Sequence, residues 1–115
     1  MIRVALAVLL LHHSFAADFD ITKPVTLTGR VTKIEWMNPH AHIYIDAKGE
    51  PWSIELGSPN GLRERGWTTK TLKIGDAVTI EGSRAKDGTR LANASVVVLA
   101  SGVRMATGSG QGKTS

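Results

Sequence analysis

From Val25 to Val98 the apolar residues recur at every second position in short runs, and turn-forming Gly, Pro, Asn and Asp stand between the runs. A period of two turns successive side chains to opposite faces of an extended strand, so a chain patterned this way must bury one face of a sheet. Val25, Leu27, Gly29 and Val31 share one phase, which then shifts to Ile34 and Trp36. A shift of phase inside one run predicts a bulge or bend in a long first strand. Asn38-Pro39 breaks that strand. Ala41, Ile43 and Ile45 make a second, ending at Asp46-Ala47-Lys48-Gly49-Glu50, and Trp52, Ile54 and Leu56 make a third. In Ser58-Pro59-Asn60-Gly61-Leu62-Arg63-Glu64-Arg65-Gly66 a capping serine, a proline at the first helical position and a closing glycine predict a short helix. Val78 to Gly82 is a fourth strand. The Asp87-Gly88 turn leads to a fifth, with Ala92, Ala94, Val96 and Val98 on one phase.

The expected fold is therefore all-β with one short helix, in the order β-β-β-α-β-β. That is the order of the five-stranded Greek-key barrel of the oligonucleotide/oligosaccharide-binding (OB) type, and a long bent first strand suits it. A small open sandwich of the same strands is the competing architecture. At 115 residues there is room for one domain. The absence of cysteine removes disulfides and zinc-thiolate sites from consideration.

Met1-Ile2-Arg3 followed by the apolar run Val4 to Leu11 has the pattern of a secretory signal. The run is much shorter than the ~20 residues that span a bilayer, so no stable transmembrane anchor is expected. Cleavage before Ala17 follows the small residues Ser14 and Ala16. Cleavage before His12 would leave an N-terminal imidazole and a free amine. The expected organisation is a signal peptide over 1–16, a β domain over 17–105 and a flexible Gly/Ser tail over 106–115, placing the protein in the periplasm or outside the cell. The net charge of +4 is dispersed among Asp and Glu, and aromatics are only 5% of the residues. Nucleic-acid binders cluster basic residues and interleave them with aromatics, so nucleic acid is not the expected partner.

The segments His12-His13-Ser14-Phe15-Ala16-Ala17-Asp18-Phe19-Asp20, Asn38-Pro39-His40-Ala41, Glu55-Leu56-Gly57-Ser58-Pro59-Asn60 and Arg84-Ala85-Lys86-Asp87-Gly88 resemble, in that order, a family of small exported bacterial proteins classed as a domain of unknown function. The resemblance implies export and a compact β domain, and it implies no activity. In similar proteins small residues precede the His-His pair, whereas here Leu9-Leu10-Leu11 stand there.

His40-Ala41-His42 is the sharpest chemical feature. Residues i and i+2 of a strand project from one face about 7 Å apart, within reach of a shared metal ion. The chain's four histidines fall into two pairs, His12-His13 and His40-His42, and nitrogen donors of this kind suit copper, nickel or zinc. The plainer alternative is a solvent-facing pair. Asp46 and Glu35 are the nearby carboxylates by sequence. Trp36, Met37 and Tyr44 flank the histidines and are candidate ligand-binding residues, although Trp36 and Trp52 also fall on the apolar phase that predicts core packing. Trp67 is expected to clamp the helix. No nucleophile elbow, phosphate loop or His-Glu-x-x-His motif is present. The expected function is a non-enzymatic exported binding or accessory module whose partner is a metal ion or a periplasmic protein. A structural or protein-interaction domain without a small ligand is the alternative.

Overall fold

A computed structural model of the protein describes residues 15–109. A single helical turn, α1 (Phe15–Asp18), opens onto β1 (Phe19–Glu35), followed by β2 (His42–Ala47), β3 (Glu50–Glu55), the helix α2 (Pro59–Glu64), β4 (Ala77–Ala85), β5 (Leu91–Leu99) and β6 (Arg104–Ala106). The sheet order is β3-β2-β1-β4-β5-β6, with an additional pairing between β3 and β5. That pairing is parallel while the others are antiparallel, and it closes β1, β2, β3, β5 and β4 into a ring of five strands. The all-β expectation and its element order hold.

β1 serves two neighbours in succession, pairing with β4 up to Arg30 and with β2 from Arg30 to Glu35. The predicted bulge lies between Val31 and Lys33, where the register slips and the apolar phase changes sides. Gly29 precedes it because β2 crosses close by: a Cβ at that position would stand 2.3 Å from the Asp46 carbonyl oxygen. The β2–β3 turn is a two-residue one, with Lys48 and Gly49 both at positive φ. In α2, Ser58 caps the first turn by accepting a hydrogen bond from the Gly61 amide at 3.1 Å.

Val31, Ile43, Ile45, Ile54, Ile80 and Val97 fill the ring, and Leu62 and Trp67 close one end of it. Each such aliphatic side chain contributes about 1.5–3 kcal/mol by leaving water.

Three departures from the sequence reading have physical causes. β1 begins at Phe19, not Val25: Phe19 is buried and stacks on Phe15 with ring centroids 5.5 Å apart, while a slip between Asp20 and Pro24 absorbs the residues without alternation. In β5 the core phase runs Ala92, Ala94, Val97 rather than continuing to Val96 and Val98, because a second bulge lies opposite Glu81/Gly82. β6 is a sixth strand on the edge of β5, and of the stretch assigned by sequence to the flexible tail Ala106 ends that strand and Thr107 is anchored beyond it. Thr107 is buried and its hydroxyl donates to the Ala94 carbonyl at 2.5 Å, while the Ala106 carbonyl accepts from the Trp67 indole at 2.9 Å.

Candidate functional site

The candidate residues gather where β1 turns into β2. Glu35 and His42 are cross-strand partners, so the loop 36–41 leaves and re-enters the sheet at that pair. Alternation then sorts the side chains. Ile34, Ala41 and Ile43 point to the core side, while Glu35, His42 and Tyr44 lie on the outer face. Trp36 follows the inward phase but stands at the rim of the ring. It packs edge-on against Trp67 with centroids 6.3 Å apart and stays 37% exposed. The expectation of core packing therefore holds for Trp52 but not for Trp36, which is a half-open lid over the end of the core, while Trp67 is buried against it. Met37 is 48% exposed. Trp36, Trp67, Arg63, Thr68 and Thr69 line an open cleft of about 150 Å³.

His40 is half-buried just before β2. Its Nδ1 lies 2.9 Å from the Leu56 carbonyl oxygen. A carbonyl can only accept, so Nδ1 carries the proton and Nε2 of the neutral ring keeps its lone pair. The contact is supplied by the β2–β3 ladder, which continues past the strand end through Leu56 N–H to the Ala41 carbonyl and Ala41 N–H to the Gly57 carbonyl. On the other side of Ala41, His42 Nε2 is 3.8 Å from Glu55 Oε1. The other Glu55 oxygen accepts from the buried Asn93 amide at 3.2 Å.

Glu35 is also engaged. Lys33 Nζ lies 3.1 Å from one of its oxygens, and the Tyr44 hydroxyl donates to the other at 2.9 Å. The lysine hydrogen bond, then that of Tyr44, holds the Glu35 carboxyl below the usual carboxylate range. In return the Glu35 carboxylate pushes the Tyr44 phenol up.

The structure thus brings Trp36, Met37, His40, His42 and Tyr44 to one end of the sheet, with Glu35. Asp46 is not there: it lies at the far end of β2, opposite Arg30 and Pro51. Glu55, which sequence reasoning passed over, takes its place beside His42. Its signal was the alternation Trp52, Ile54, Leu56, which puts Glu55 on the polar face of β3. His12 and His13 lie outside the described residues. Among the described residues, no group of three or more His, Cys, Asp or Glu side chains is gathered closely enough to hold a metal ion. Also among them, no helix is long and apolar enough to cross a membrane.

A comparison with curated proteins gives no match. Two solved structures share the fold. The TiaS–tRNA(Ile2)–ATP complex is 23% identical over 70% of this chain and 18% of that one, with a TM-score of 0.53. A ZRD-deleted mutant of TiaS in complex with agmatine is 24% identical over 83% of this chain and 25% of that one, with a TM-score of 0.51. The chain spans about a fifth to a quarter of those proteins, and at this identity the likeness is one of fold alone. A model of DUF6152, a family of unknown function, matches residues 2–94, and the chain belongs to that family.

Proposed function

We propose that the protein is an exported, non-enzymatic binding module that carries a transition-metal ion at the β1–β2 end of its sheet, with His40 and His42 as ligands. The observation that carries this reading is the hydrogen bond from His40 Nδ1 to the Leu56 carbonyl. Metal-binding imidazoles are held in this way, with one nitrogen donating to a backbone carbonyl so that the other presents a basic lone pair in a fixed direction. His42 is two residues along the chain, with the buried Ala41 between them. Two side-chain ligands leave room for others, and export bears on what those are. A leader removed before His12 would add two imidazoles and an amine to the mature chain, whereas removal before Ala17 would add none.

Calorimetric titration of the mature protein with copper and zinc tests the proposal. Wild type is expected to bind one equivalent, and the His40→Ala/His42→Ala double variant to lose that binding. Equal affinity of the two proteins would sink the idea. The intact mass of material recovered from the periplasm fixes which histidines are present.

The first half of β1 supports the alternative, a protein-interaction domain. Among the described residues it pairs with β4 along one edge only, and a bare edge can accept an added strand. Recovery of one stoichiometric partner from metal-free extract would favour that reading.

A further inference from the structure

The cleft between Trp36 and Arg63 has an aromatic wall, a single cation and no acid. We infer that it is a binding site for a small aromatic carboxylate, with the ring held against Trp36 and the carboxylate on Arg63. The aromatic wall is built in advance. Trp36 packs edge-on against Trp67, and Trp67 is itself held from behind. It is buried, its indole N–H donates to the Ala106 carbonyl at 2.9 Å, and its backbone N–H donates to the Leu62 carbonyl at 3.0 Å. Trp36 is thereby backed by the core while part of its surface stays open to the cleft. A wall fixed in this way loses little freedom when a ring settles on it. The threonine side is pinned by a turn, in which Thr68 N–H donates to Thr71 Oγ1 at 2.8 Å and Thr68 Oγ1 accepts from Lys70 N–H at 3.1 Å.

Arg63 supplies the charge. It stands in the last turn of α2, and Asn60 Oδ1 accepts a hydrogen bond from its Nη2. That contact steadies the guanidinium and leaves its remaining N–H donors for an outside acceptor. Among the described residues Arg63 forms no ion pair, and neither Asp nor Glu lines the cleft. Size and donor type then set the ligand class. A void of about 150 Å³ takes a single benzene-sized ring. The one cation lining it matches a monoanion, and a guanidinium fork is shaped for a carboxylate. A sugar fits less well, because its hydroxyls also need acceptors and no carboxylate or amide side chain lines this cleft. None of the lining residues is a histidine, so the test uses metal-free protein.

The purified mature protein is titrated with benzoate, cyclohexanecarboxylate and benzyl alcohol, and the indole N–H signal of Trp36 is followed by NMR. The spectrum of Trp36→Phe identifies that signal. Benzoate is expected to shift it saturably. Cyclohexanecarboxylate and benzyl alcohol, each lacking one half of the recognition, are expected to bind severalfold more weakly. Arg63 is exposed, so Arg63→Gln should fold, which a melting curve checks. That variant is expected to bind benzoate about tenfold more weakly and benzyl alcohol as wild type does. No saturable shift with benzoate, equal affinity for benzoate and benzyl alcohol, or an unchanged benzoate affinity in Arg63→Gln overturns the proposal. Equal affinity for benzoate and cyclohexanecarboxylate overturns its aromatic half.

Discussion

Tyr44 is the chain's one tyrosine, and its hydroxyl donates to a carboxylate that Lys33 also holds. A phenol in that position must ionise beside an existing negative charge, so it titrates above its ordinary value of about 10. The Lys33 ammonium, 5.3 Å from the ring centroid, opposes this but does not reverse it. Ultraviolet titration of the folded protein reads this residue alone. The midpoint is expected above the ordinary value in wild type and back towards it in Glu35→Gln; a midpoint that does not respond to Glu35→Gln would show the pair to be broken in solution. At this scale the sequence revealed residue types and phases but not contacts. His42 and Tyr44 stand out on the polar phase of a strand. That Glu55 is the near carboxylate, and that the Leu56 carbonyl fixes the His40 ring, depends on which strand lies beside β2, and no local pattern encodes that.

The strands were legible where the two phases differ in polarity. Val31-Thr32-Lys33-Ile34 shows its bulge openly, because apolar and polar residues change places across it. Val96-Val97-Val98 hides one, because valine on both phases satisfies either register. Close approach of strands is equally silent in sequence. A Cβ at Gly82 would stand 1.8 Å from the Asn93 carbonyl oxygen, and both groups are backbone in paired strands. Gly82→Ala is therefore expected to destabilise the protein by about 3 kcal/mol or more, measured as a lower urea midpoint. Ser58→Ala, which deprives the Gly61 amide of its acceptor, should cost about 1 kcal/mol. If Gly82→Ala proves as mild as Ser58→Ala, β4 and β5 are not packed this closely.

For the molecule as a whole, element order was sufficient to anticipate the ring, while composition gave no sign that Thr107 is buried. Thr, Gly and Ser after Ala106 look like a tail. Yet Gly57 leaves space where the Thr107 carbonyl passes: a Cβ there would be 2.2 Å from it. Thr107→Val should cost about 1–3 kcal/mol by leaving the buried Ala94 carbonyl without its hydroxyl donor, a loss that thermal denaturation would report. The ring itself is fastened unevenly. β1 and β4 share nine residue pairs, but β3 and β5 meet over three, Ser53, Ile54 and Glu55 against Leu91, Ala92 and Asn93. Breathing motions should begin at that short seam, so its amides are expected to take up deuterium before those of β1 and β4. Glu55 belongs to the seam and is also the neighbour of His42. A ligand gripping His42, as proposed, would therefore also steady the clasp of the ring, and its occupancy would be read as slower exchange in β3 and β5.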